Sequence, residues 1–342
     1  MLSKRSFILI YLLLLSAVSR SEPSVPVHDF CSGKDEPRRC LAGHLFVLPY
    51  DLNSAFLTSN MATFYTGKFP RIALRDSSTG QYKLYRAKGQ NIGYLLEFLA
   101  LDWLSVGAMT TVELTAGDGK DFVQVGYDRA INGALNAKFK LVQNERLMLS
   151  TSVQFQGSYY DGVNPSVVAG RVINTVLDRV GKATFEGIQK DVENDFKYML
   201  TERGEIGLKV NPMFAYGINS MLGFFGGMDY TLKLRSKNFS DLENNFSANL
   251  GVSTDLNPHF RVPVGVLFFT RWTYQTYAIP RSFEQNSGIF LFNLGLFYTG
   301  SRNFSVGLEF NDHFTPIFLS SDTGNIRTHS YAAQVSLRYY WN

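Results

Sequence analysis

Residues 304–311 read Phe304-Ser305-Val306-Gly307-Leu308-Glu309-Phe310-Asn311. Side chains alternate along an extended chain, so Phe304, Val306, Leu308 and Phe310 share one face and Ser305, Gly307, Glu309 and Asn311 the other. The same division runs through 246–254, where Phe246, Ala248, Leu250 and Val252 oppose Ser247, Asn249, Gly251 and Ser253. In 205–214, Ile206, Leu208, Val210 and Phe214 oppose Glu205, Gly207, Lys209 and Asn211. The apolar face is too continuous for water: Phe290, Phe292, Leu294 and Leu296 line one run, and Val262, Val264, Val266 and Phe268 its neighbour. A soluble sheet buries one face and solvates the other. An apolar face turned to lipid and a polar face turned to a lumen fit instead a closed barrel that crosses a membrane.

Outward from this stretch the pattern repeats from residue 90 or so to the C-terminus. Short turns are expected at Leu101-Asp102-Trp103, Gln143-Asn144-Glu145-Arg146, Asn219-Ser220, Asn257-Pro258-His259 and Gly300-Ser301-Arg302-Asn303, all rich in turn formers. Longer loops fall at 116–121, 161–202, 236–244, 277–287 and 315–329. Eleven strands fit between residues 91 and 341. An even count requires one more, expected within 43–66 around Leu45-Phe46-Val47-Leu48; ten or fourteen strands also fit the pattern. The expected fold is all-β, a transmembrane antiparallel barrel of about twelve strands occupying 43–342.

Composition agrees. The 342 residues include 28 Phe, 18 Tyr and 29 Gly, a bias toward strands and turns. Mean hydropathy is −0.06, as expected when each spanning strand is only half apolar. Trp103, Tyr159, Tyr160, Trp272, Tyr274, Tyr277, Tyr339 and Trp341 cluster at strand ends, where amphipathic rings suit the headgroup zone. The formal charge of +4 includes Lys4 and Arg5. The remaining basic residues are scattered, so nucleic acid is not an expected partner.

Lys4 and Arg5 precede an unbroken apolar run, Phe7 to Leu15, followed by small residues at Ala17, Ser19 and Ser21. This reads as a cleaved secretory signal over 1–19, since the run is too short to span a bilayer. In the exported chain, 20–42 reads as a periplasmic segment in which Cys31 and Cys40 form a disulfide. Closing so small a loop stabilises by roughly 2–3 kcal/mol in the chain-entropy model.

The last strand places Tyr331, Ala333, Val335, Leu337, Tyr339 and Trp341 on one face and ends Leu337-Arg338-Tyr339-Tyr340-Trp341-Asn342. This resembles the terminal strand of bacterial outer-membrane β-barrel proteins, although Asn342 sets the aromatic one place from the end. The resemblance implies residence in the outer membrane of a Gram-negative cell. It also implies recognition of this strand by the barrel-insertion machinery, with short turns in the periplasm and long loops outside.

Residues 164–201 break the alternation. Val172, Ile173, Val176, Leu177, Val180, Ile188, Val192, Phe196 and Met199 recur at helical spacing. A helical insertion in an outer loop is expected, with Val172, Val176, Val180, Ile188 and Phe196 as a constriction or plug, a cap on the mouth, or a partner surface.

The lumen face carries both signs: Glu97, Glu113, Lys138, Lys140, Glu205, Lys209, Asp229, Lys233, Arg271, Glu309 and Arg338. Glu205, Lys209, Asp229, Lys233, Arg271, Glu309 and Arg338 are candidate channel-lining residues. They either set the field of a narrow channel for small polar solutes or pair and seal the barrel, leaving the outer loops as an interaction surface. A third reading is a surface hydrolase. Asp312, His313 and Ser330 are the residues at the outer rim suited to base-assisted nucleophilic attack. No histidine stands two residues before a serine, and no phosphate loop, metal spacing or CxxC pair occurs. No enzyme activity and no cofactor are therefore expected.

Overall fold

A computed structural model describes residues 31, 38–50, 52–75, 82–119, 122, 126–163, 203–235, 241–277, 287–317 and 326–341. The signal 1–19 and the helical insertion, with Val172, Val176, Val180, Ile188 and Phe196, lie outside the described residues. The chain opens with a small hairpin, β1 (Cys40–Leu41) and β2 (His44–Leu45). Its two-residue turn has positive φ at Ala42 and Gly43, the geometry that matches the twist of a tight hairpin. The wall follows: β3 (Ser59–Phe69), β4 (Arg71–Arg75), β5 (Tyr82–Leu101), β6 (Leu104–Gly117), β7 (Tyr127–Gln143) and β8 (Leu147–Val163). Beyond the insertion come β9 (Arg203–Gly217), β10 (Leu222–Arg235), β11 (Asp241–Asp255), a single helical turn α1 (Asn257–Phe260), β12 (Val264–Tyr277), β13 (Ser287–Tyr298), β14 (Phe304–Ile317) and β15 (Ile326–Trp341).

Consecutive strands pair antiparallel from β5 to β15, and β3 pairs with both β15 and β5. The sheet therefore closes on itself with twelve strands, and β4 merely extends the β5 hairpin. Closure leaves no open edge within the barrel wall, the condition for burying a sheet in hydrocarbon. Among the described residues no helix is long and apolar enough to cross a membrane; the strands do so.

Alternation sorts the faces as the sequence requires. Phe290, Phe292, Leu294, Leu296, Leu308 and Phe310 are exposed on the outside. Between them Asn293, Glu309 and Asn311 are buried on the inside. The short connections all lie at one end, where β5–β6, β7–β8, β9–β10, β11–β12 and β13–β14 turn.

The first wall strand differs from expectation. It is β3, Ser59–Phe69, and Leu45-Phe46-Val47-Leu48 is not in the wall. That run lacks a polar alternate face, so it has no lumen side to offer. Ser59–Phe69 does alternate, with Asn60, Ala62, Phe64 and Thr66 buried and Met61 and Phe69 exposed. β11, β14 and β15 also run further into the long loops than the turn residues suggest.

Candidate functional site: a plugged lumen

Residues 39–58 enter the barrel at the short-turn end and fill its lower part. Phe46 and Val47 are completely buried, and Phe56, Leu57 and Leu52 nearly so. Leu41, Phe46, Ala55, Phe56 and Leu57 pack against Met148, Met213 and Ala215 of β8 and β9. Val47 and Leu52 pack against Leu267, Phe269, Leu291 and Phe297 of β12 and β13. Tyr50 lies on Phe64 of β3, ring centroids 3.8 Å apart. The lower lumen is thus an apolar core, each large side chain contributing about 1.5–3 kcal/mol of burial. Gly223 on β10 makes room for it: a Cβ there would strike the Phe46 ring and His44.

Polar contacts fix the segment at its ends. Cys31 and Cys40 are disulfide-bonded, Cα atoms 5.6 Å apart. Arg39 is buried, donates to Phe46 O (3.2 Å) and Arg302 O (3.3 Å), and lies over the Tyr340 ring at 4.3 Å. Desolvation lowers its pKa from the ordinary arginine value. Ala42 N–H donates to Glu145 O (2.6 Å), and Arg38 pairs with the exposed Asp102 (3.1 Å). Lys138 Nζ donates to Phe56 O (2.9 Å) and pairs with Glu97 (2.8 Å), which also accepts from Ser105 (2.6 Å) and Asn60 (3.2 Å). Both charges of this pair are buried, and the surrounding donors offset their desolvation.

Above the plug the lumen changes character. Asp229 on β10 is held by Lys209 (2.8 Å), Arg271 and Asn211. Lys233 stands 3.8 Å from Glu205, and Lys68 pairs with Glu113 at 2.8 Å. Across β3, β15, β14 and β13 runs an amide and carboxylate belt. Thr66 donates to Gln334 (2.7 Å), Gln334 to Glu309 (3.1 Å), and Asn293 to both Glu309 (3.0 Å) and Asn311 (2.7 Å).

The structure divides the candidate lining residues between the two regions. Glu205, Lys209, Asp229, Lys233, Arg271 and Glu309 lie in the polar upper lumen. Arg338 does not: its guanidinium lies at plug level and donates to Pro49 O (3.5 Å). The rim residues Asp312, His313 and Ser330 are not brought together either. Asp312 and His313 are neighbours on one strand and so point to opposite faces. Asp312 accepts from or pairs with His329 Nδ1 (3.2 Å) beside Tyr331, whereas His313 sits opposite Ser330 in the ladder. No triad forms from them. The plug residues themselves were missed. The signal available was the inward apolar set Leu267, Phe269, Leu291 and Phe297, which gives β12 and β13 two apolar faces and demands an apolar occupant.

No protein-family model and no curated protein sequence matches the chain. Solved structures with a similar fold include the COG4313 outer membrane channel from Pseudomonas putida F1, 8% identical, with 86% of this chain and 100% of that one covered and a TM-score of 0.49. The beta domain of the Bordetella autotransporter Brka is 9% identical over 83% of this chain and 100% of that one, at 0.48. The P. putida toluene transporter TodX is 11% identical over 83% and 90%, at 0.40. The closed ladder of strands, rather than these likenesses, establishes the barrel.

Proposed function

We propose that the protein is an outer-membrane channel for small polar solutes, held closed in this structure by its own N-terminal segment. The carrying observation is that the lower lumen is filled by a segment that contributes nothing to the barrel wall. Residues 39–58 take no part in the twelve strand ladders of the wall. The vestibule above, lined by Glu205, Lys209, Asp229, Lys233, Arg271 and Glu309, suits hydrated solutes of either charge. In this reading 1–19 is removed on export, the insertion machinery reads Leu337 to Trp341, the short turns face the periplasm of a Gram-negative cell, and lipid surrounds the wall.

A second reading is a non-conducting barrel that serves through its outer loops; the matched pairs Lys138–Glu97, Lys209–Asp229 and Lys68–Glu113 favour it. Single-channel recording in a planar bilayer separates the two. The intact mature protein should be mostly closed, and a variant lacking 20–57 should conduct steadily. A folded deletion variant that stays silent would reject the channel and leave the loop-interaction reading.

A further inference from the structure

We infer that His44 is an acid-sensitive latch: protonating its imidazole frees the plug from the wall and opens the lumen at the short-turn end. This deepens the channel reading and rests on it for its physiological meaning, though not for its test.

His44 sits on β2, completely buried, wedged between the β9–β10 turn and β11. Its Nδ1 is 3.4 Å from Ser220 O and its Nε2 3.1 Å from Ser253 Oγ. Val47 N–H donates to the same Ser253 Oγ at 3.2 Å. These contacts fit one protonation state. A carbonyl can only accept, so Nδ1 carries the proton. The serine hydroxyl accepts from Val47 and sends its single proton to Nε2. The result is a relay, Val47 N–H to Ser253 O–H to His44 Nε2, then His44 Nδ1–H to Ser220 O. It joins plug to wall twice. A second proton on Nε2 would reverse that contact: Ser253 Oγ, already accepting from Val47 N–H, must accept from Nε2 as well, its own proton loses its acceptor, and a charge is left beside the Phe46 ring, centroids 4.5 Å apart.

The groups around His44 do little to welcome that charge. On its own hairpin the titratable neighbour is Arg39, a cation. From β11 comes Asp255, whose carboxylate already accepts from Thr299 (2.9 Å) and Asn257 N–H (3.1 Å). The β9–β10 turn (Ile218, Asn219, Ser220, Met221) and the facing residues of β10, Gly223 and Phe225, carry no ionisable group. Burial accordingly lowers the pKa of His44 to about 4, the Ser220 bond acting weakly the other way. A released plug returns the imidazole to water and its ordinary value near 6.5. The docked state therefore binds fewer protons between these values. Docking is fully favoured above the released value and weakens as pH falls toward the docked one. From pH 7 to 4.5 the docking constant should fall by about sixtyfold.

The test uses the full mature chain with Ala55→Cys, a thiol placed in the buried plug core while Cys31 and Cys40 stay disulfide-bonded. Maleimide labelling of the new thiol is followed between pH 7 and 4.5, with and without His44→Gln. Taking the ratio of the two rates at each pH cancels the chemistry's own pH dependence. Ser253→Ala in the same background should label faster already at pH 7, and it serves if His44→Gln does not fold. Conductance is recorded in parallel. The expected result is a labelling ratio that rises at least tenfold on acidification, with channel opening over the same range. A rise in labelling without conduction keeps the latch and rejects the channel. A flat ratio, or equal labelling of Ser253→Ala and its parent, overturns the latch whether or not the protein conducts.

Discussion

The two halves of the lumen share one wall and differ in the balance of apolar and polar side chains it turns inward. Near the short turns the inward residues include Met148, Met213, Phe225, Leu267, Phe269 and Phe297, with the buried Lys138–Glu97 pair beside them, and a folded segment occupies the space between them. Toward the long loops the same strands turn Gln154, Lys209, Asp229, Arg271 and Glu309 inward. Apart from irregularities at Leu99/Leu101 and Lys140/Val142, close to the short turns, the alternation holds along the wall, and the outside of the barrel is apolar at both heights. Where residues 39–58 pack, the wall turns largely apolar side chains inward and pairs its buried charges; nearer the long loops the described inward residues are polar and charged.

Lys138 anchors the plugged half most firmly. Replacing Lys138 with Ala removes a bond to the plug at Phe56 O and strands the buried carboxylate of Glu97. A loss of about 4 kcal/mol in unfolding free energy is expected, since truncating one partner of a buried pair typically costs 3–5. Urea titration in lipid vesicles, read by gel mobility of unheated samples, measures it. Leu267→Ala probes the apolar half without charge and should cost about 3 kcal/mol by the same assay, within the range for a large core side chain. A neutral result would mean that the plug does not pack against β12. In the upper half, Lys68→Ala removes a partner of Glu113 where both side chains are about 30% exposed. Stability should change by less than about 1 kcal/mol, while the reversal potential of open channels shifts toward cations. A loss as large as that of Lys138→Ala would erase the distinction between the halves.

Much of the fold was legible because lipid imposes a strict code. A strand between hydrocarbon and lumen must alternate, so the eleven strands from β5 onward were readable from period two alone, and closure demanded a twelfth. The misplacement of that twelfth has a physical cause. Leu45-Phe46-Val47-Leu48 is apolar on both sides, which resembles a buried strand as closely as a buried irregular segment. Ser59–Phe69 carries Thr63 and Gly67 among its residues and signals more weakly. The candidate site was legible as a list of inward charges but not as an arrangement. Nothing in local sequence couples Arg338 to Pro49 or Phe46 to Gly223, residues far apart in the chain and joined only by the fold. The rim set fell for a reason that period two does contain: adjacent residues such as Asp312 and His313 cannot serve one site from one straight strand.

The plug is joined to the wall by a single peptide connection at Ser59. Once displaced, it therefore remains within reach of the mouth it left, at an effective concentration set by its own length rather than by the amount of protein present. Reclosure is then a unimolecular event, equally fast in a crowded membrane and a dilute one. In the proposed channel, each barrel would reset itself without waiting for another molecule.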